Sequence, residues 1–203
     1  MTTKATKKTT TTKPKAKVVT GPSQTIPNLP KNPFAFEVLD LVSRQRSKAK
    51  KIAALKKYEH VSLKAVLIWN FDETIVTLLP EGDVPYSGFE DQTKYEGGVS
   101  AKITNEVRKM HETGSFSLGS SDRNGHTTIR REFKNFYHFL KGGNPGLSSI
   151  RRETMFINVL EGLHPLEAEI ICLCKDGKLS DKYNITKEVV SEAYPDIIWG
   201  NRG

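Results

Sequence analysis

Two hexapeptides nearly repeat in this chain, "TTIRRE" at 127–132 and "SSIRRE" at 148–153. In each, hydroxyl residues suited to cap a helix precede an isoleucine and two arginines. Thr127 or Thr128, and Ser148 or Ser149, are the expected N-caps, and Ile129 and Ile150 are expected to start apolar stripes. The first turn of a helix has unbonded N–H groups and a positive dipole end, where each cation costs about 0.3–1 kcal/mol. Arg130, Arg131, Arg151 and Arg152 therefore stand against local preference, and Glu132 and Glu153 offset this only in part. Two chemistries explain them. One is an anion such as phosphate, shared between the two helix starts and met by N–H groups and guanidinium forks together. On that reading Lys134, His138 and Lys141 extend a basic stripe and Tyr137 stacks on a base. The other is internal, with the arginines reaching acids of neighbouring helices such as Glu161, Glu167 or Glu169.

A second cationic element precedes the first acid, Glu37. It consists of Lys4, Lys7, Lys8, Lys13, Lys15, Lys17 and Lys31. The net charge of +8 comes from 31 basic and 23 acidic residues; without those seven lysines, 24 basic residues face 23 acids. The basicity belongs to an arm. Its sequence "MTTKATKKTTTTKPKAKVVTGPSQTIPNLP" has no aromatic residue and no apolar period. Burial cannot offset the entropy of ordering it, so residues 1–30 are expected to be a disordered Lys/Thr-rich arm. Lys4, Lys7, Lys8, Lys13, Lys15 and Lys17 are candidate contacts to nucleic-acid phosphates, each contact releasing counterions. The plain alternative is a solubilising tail. The arm lacks the apolar core of a secretory signal, and no run approaches the roughly 18 apolar residues of a membrane span.

Motifs that would make an enzyme are present only in fragments. "KAVLIWNFDETIV" at 64–76 resembles the first motif of haloacid-dehalogenase-type phosphatases, Asp-x-Asp-x-Thr after an apolar strand. The nucleophile position is Asn70, and an amide cannot form a phospho-aspartate. "KGGNPGLSS" at 141–149 has the glycines of a phosphate-binding loop, but Leu147 occupies the lysine position. It reads as a connector between antiparallel helices. His60, His111, His126, His138 and His164 are scattered without ligand spacing. Cys172 and Cys174 point to different helix faces and read as small hydrophobes rather than a metal site or disulfide. Two thiols without a signal peptide favour a reducing, intracellular setting. The expectation is no catalysis, no cofactor and no metal.

The elements that position these residues are read from period and punctuation. A helix is expected from Asn32 (N-cap) and Pro33 through "FEVLDLVSRQRSKAKKIAALKK", its cations spread around a solvated surface. Ser62 and Asp72 are expected to cap helices "LKAVLIWNF" and "ETIVTLL". "VSAKITNEVRKMHE" is amphipathic through Ile103, Val107 and Met110. Four helices follow, "TTIRREFKNFYHFLKGG", "SSIRRETMFINVLEGL", "HPLEAEIICLCKDG" and "TKEVVSEAYPDI". The second of these is apolar almost all round and is expected to be central. The fold expected is all-α, with a disordered basic arm (1–30), one helical domain (31–200) and mobile loops near 80–98 and 113–126.

The runs "NLPKNPFAFEVLDLVSRQRSKAKKIAALKKYEHVSLKAVLIWNF", "RREFKNFYHFLKGGNPGLS" and "RRETMFINVLEGLHPLEAEIICLCKDGKL" resemble a family of small uncharacterised proteins of T-even-like tailed phages, especially phages of marine cyanobacteria. No function is established for that family, and it brings no catalytic motif. The resemblance implies a virally encoded protein acting in the host bacterial cytoplasm, with virion association as a further setting. The residues then give two expectations. The first is a non-enzymatic accessory protein that binds DNA or RNA through the arm and the arginine-rich helix starts. The second is a protein–protein adaptor on phage or host machinery or in virion assembly, suggested by the near-neutral folded part and the acidic loop 81–96.

Overall fold

A computed structural model describes residues 26–84, 99–113 and 127–200. The expectations for the arm, and for most of the two loops, lie outside the described residues. The fold is all-α. Its helices are α1 (Ala35–Ser43), α2 (Lys48–Lys57), α3 (Val61–Phe71), α4 (Val99–Glu112), α5 (Ile129–Glu132), a 3-10 helix (Phe133–Phe139), α6 (Ser149–Gly162), α7 (Pro165–Lys175), α8 (Leu179–Lys182) and α9 (Lys187–Ala193). Among the described residues there is no β-strand, and one isolated antiparallel bridge joins Thr77 to Leu140.

The centre is α7 rather than α6. Leu166, Ala168, Ile170, Ile171 and Cys174 are buried on different sides of α7, which packs against α1, α3, α4, α6 and α8. The Cys174 thiol donates to the Val66 carbonyl at 3.7 Å, and burial pushes its pKa well up, as suits a small hydrophobe. By contrast α6 is one-sided. It buries Arg152, Phe156, Ile157 and Leu160 and exposes Ile150, Thr154, Asn158 and Glu161. The expected stripe from Ile150 thus begins two residues later, on an arginine stem.

Three boundaries differ from the sequence expectation, each for a local reason. The long helix from Asn32 is two helices. The N-cap is Phe34, whose N–H donates to Glu37 Oε2 at 2.9 Å, and Ser47 restarts the chain as α2 by accepting from Lys50 N–H at 3.3 Å. This break lets α2 fold back on α1 and meet α9. His60, not Ser62, caps α3, its Nδ1 accepting from Ser62 N–H at 3.1 Å. Asp72 closes α3 instead of opening another helix. Its carboxylate accepts from the Thr74 N–H (3.1 Å) and hydroxyl (2.7 Å) and from Gly200 N–H (3.1 Å). The β-branched run Thr74, Ile75, Val76, Thr77 favours extended backbone. There, Lys141 N–H donates to Val76 O at 2.9 Å and Leu78 N–H to Phe139 O at 2.8 Å.

The segment expected to form one α-helix over 127–143 has a single α turn and then seven residues of 3-10 helix. The reason is a phenylalanine every third position, Phe133, Phe136 and Phe139. In a 3-10 helix residues i and i+3 eclipse, so the three rings share one row. Phe136 and Phe139 meet Trp69 at 5.3 and 6.3 Å between centroids, and Phe139 meets Phe156 edge-on at 5.1 Å. The row ends in a tight reversal, with Gly142 at φ +82°.

Gly143 follows, and a Cβ there would lie 1.9 Å from the Tyr137 carbonyl oxygen. Substituting Gly143→Ala is expected to lower unfolding free energy by at least about 1–3 kcal/mol, read by urea titration. An unchanged midpoint would show that the reversal has room to relax.

Candidate functional site

The starts of α1, α3 and α5 meet around a cleft of about 260 Å³ lined by Asn32, Phe34, Tyr58, His60, Thr128, Arg130, Arg131 and Glu167. Its base is built by α7. Glu167, in the first turn of α7, is 1% exposed. Its Oε1 accepts the N–H of Ala35 at 3.1 Å and its Oε2 the N–H of Ile129 at 2.9 Å. Those are the first residues of α1 and α5, so one carboxylate caps two helices from a third. Thr128, the N-cap of α5, makes no cap bond with its side chain. Thr127 instead donates its hydroxyl to Glu132 Oε1 at 2.7 Å and its N–H to Gly162 O at 2.9 Å.

The acid at the first arginine pair is therefore the protein's own. Arg130 is close enough to act on the Glu167 charge, and its guanidinium donates to Pro33 O at 3.2 Å. Burial pushes the Glu167 carboxyl up to about 7, with Glu37 adding to the rise, while the two backbone N–H groups and Arg130 pull it down. Burial first, and then Arg130, lowers the pKa of His60. His60 stays an acceptor for the start of α3. His164 is buried and held neutral by desolvation, which lowers its pKa to about 4. It caps α7 by accepting from Leu166 N–H at 3.2 Å and stacks on Phe36 at 5.0 Å.

The second arginine pair does different work. Ser148 caps α6 as expected, accepting from Arg151 N–H at 3.4 Å. Arg152 is 7% exposed and donates to the carbonyls of His138 (2.9 Å), Leu147 (2.9 Å) and Asn144 (3.4 Å). It pins the connector to α6 and offers no fork to a phosphate. Arg151 is exposed. The shared anion is also excluded by distance. Thr127 bonds Gly162 at one end of α6 while Arg151 and Arg152 lie toward the other, about 16 Å away at 1.5 Å per residue. Glu169 pairs with Lys182 instead. Among the described residues no ion pair within 4 Å includes Arg130, Arg131, Arg151 or Arg152.

Of the other candidates, Arg131 lies in α5, while Lys134, Tyr137 and His138 fall on the 3-10 helix that continues it, where residues three apart share a row. Arg131, Lys134 and Tyr137 are all exposed and share one row. Glu132, Asn135 and His138 share the next, lining a groove of about 370 Å³ with Met155, Asn158 and Val159 of α6. Lys4, Lys7, Lys8, Lys13, Lys15 and Lys17 lie outside the described residues. The chain that carries them joins the fold at the cleft. Tyr58, in the cleft wall, accepts from Leu29 N–H at 2.8 Å and donates to Pro27 O at 3.1 Å, and Lys57 donates to Asn28 Oδ1 at 2.6 Å. Sequence reasoning named Glu167 only as a possible arginine partner. A Glu in a helix's first turn reads as that helix's own cap, and no local signal says that it serves two others.

The family of unknown function DUF6433 matches residues 38–125 and 115–181, more than half of the chain, and the protein belongs to it. No curated protein and no solved structure matches.

Two outcomes follow from the buried charges. Folded Glu167 keeps its proton up to about pH 7 and the unfolded chain loses it near 4.5, so this group subtracts stability as pH rises through that window. The amount is on the order of 3 kcal/mol. His164 acts oppositely, since the unfolded imidazole takes a proton near 6.5 and the folded one only near 4. Urea titrations of the wild type and Glu167→Gln isolate the carboxyl. The stability advantage of the wild type should shrink by about that amount from pH 4.5 to 7, and a constant difference would assign no titration to Glu167. For Arg152→Ala the expectation is a loss of about 1–3 kcal/mol, because buried carbonyls lose their donor.

Proposed function

We propose that this member of the family is a non-enzymatic accessory protein of a tailed phage, associated with nucleic acid in the cytoplasm of its bacterial host. The observation that carries the reading is that residues 27–29, which follow the lysine-rich stretch in sequence, pack beside the first arginine pair. Pro27 and Leu29 bond to Tyr58, in the wall of the cleft that also holds Arg130 and Arg131. Arg131 and Lys134 are exposed beyond it. A tethered arm beside fixed guanidinium groups can neutralise several phosphates at once, with affinity independent of sequence. Arg152 takes no part, being committed to backbone carbonyls. The phage setting rests on the resemblance of the runs around the two arginine motifs.

A protein–protein adaptor is the second reading. Val76 and Leu78 favour it, two apolar side chains at i, i+2 on extended backbone, 47% and 38% exposed. Salt separates the two readings, because phosphate contacts weaken steeply with ionic strength and an apolar contact does not.

Deleting residues 1–26 removes six of the seven early lysines. Helical circular dichroism should persist, while affinity for DNA or RNA falls and its salt dependence flattens by about 0.7–0.9 log units per lost phosphate contact. Substituting Arg130→Ala together with Arg131→Ala should weaken what remains. Unaltered binding in both variants, or none in the intact protein, would give the case to the adaptor.

A further inference from the structure

We infer that the nucleic acid this protein takes is single-stranded, laid along α5 and the 3-10 helix that continues it, with its phosphates on Arg131 and Lys134 and a base on Tyr137. This rests on the nucleic-acid reading above and narrows it to one class of ligand. The argument begins with spacing. Three residues at about 2.0 Å rise separate neighbours in a row by about 6 Å, close to one nucleotide of extended backbone. Lys134 and Tyr137, both on the 3-10 helix, therefore stand one strand repeat apart, with Arg131 in the α turn just before them. The third row, Phe133, Phe136 and Phe139, holds this face against the core.

The aromatic ring decides the class. Tyr137 is 47% exposed, and its ring lies against the His138 imidazole with centroids 3.9 Å apart. The two rings are tilted by 36°, so His138 backs one side of a half-exposed ring. A duplex presents phosphates but no free base face, whereas an unpaired strand presents both, and stacking on an aromatic side chain is worth about 1–3 kcal/mol per base.

The neighbouring groove suits a base edge. Asn144 Nδ2 stands 3.0 Å from His138 Nδ1, which ties the imidazole to the connector beside the groove. Asn158 and Asn135 present amides from opposite walls, and Met155 and Val159 give an apolar side. Asn135 also donates to Glu132 Oε2 at 3.1 Å, and Glu132 Oε1 accepts from Thr127, so the one carboxylate in the groove is engaged. The amides supply donors and acceptors to whichever base stacks on Tyr137, without the fixed pattern of a sequence reader.

The test is fluorescence anisotropy on the full chain at fixed salt, with DNA and RNA strands of about 12 nucleotides and the matched DNA duplex. Single strands of either sugar should bind about tenfold or more tightly than duplex. Tyr137→Ala should lower single-strand affinity by about fivefold or more while leaving duplex affinity unchanged, and Tyr137→Phe should restore it. Lys134→Ala should reduce the single-strand salt slope by about 0.7. Equal affinity for duplex, or a Tyr137→Ala variant that binds single strands as the wild type does, overturns the inference and leaves the broader reading standing. Absence of binding to every oligonucleotide overturns both.

Discussion

One carboxyl group joins the starts of two helices to a third. Glu167 reaches from α7 to the first N–H of α1 and the first N–H of α5, elements otherwise far apart in the chain. A helix start is a cluster of unpaired donors, and two such starts facing one another repel unless something negative lies between them. Burying that charge is costly, which the raised pKa of Glu167 records. Arg130 is placed where it eases the cost, since its charge favours the ionised form. The first arginine pair thereby makes local sense. It stands at a helix start beside an internal carboxyl group whose charge it favours.

The same principle runs through the other helix starts. His60 and His164 cap α3 and α7 through imidazole Nδ1, and Glu37 closes α1 by taking the Phe34 N–H. These are acceptors chosen for reach and shape rather than from the usual hydroxyl and amide set. The capping groups therefore serve packing as well as local termination. His164 lies flat against Phe36, and His60 meets the edge of Phe133.

That choice explains what was legible in the sequence. Helices with ordinary punctuation were readable, with Ser148 opening α6, Pro165 at the start of α7 and Thr186 before α9. The all-α class followed from them. Asp72 was misread because the same residue type opens helices and closes them, and only the β-branched residues after it tell the two apart. The 3-10 helix was hidden by period. Ile129, Phe133, Phe136 and Leu140 fit an α-helical stripe as well as Phe133, Phe136 and Phe139 fit a threefold one, and packing against Trp69 decides. At the site, sequence named Arg130, Arg131, Lys134 and Tyr137, all of which lie in the cleft or on the exposed row beside it. It also named Arg152, which is enclosed by a connector whose carbonyls no sequence pattern advertises.

The reach of Glu167 also sets an order of events during synthesis. Its bond to Ala35 spans 132 residues of chain, Tyr194 to Leu55 spans 139, and Lys51 to the Asn184 carbonyl spans 133. Translation at about 5–20 residues per second leaves α1 and α2 without these partners for several seconds or more. During that interval α1 has Glu37 as its local cap but no carboxylate for Ala35, and its apolar face has no α7 to cover it. The amino-terminal third cannot complete its fold as it emerges. It waits until the segment carrying Glu167, Asn184 and Tyr194 has been made.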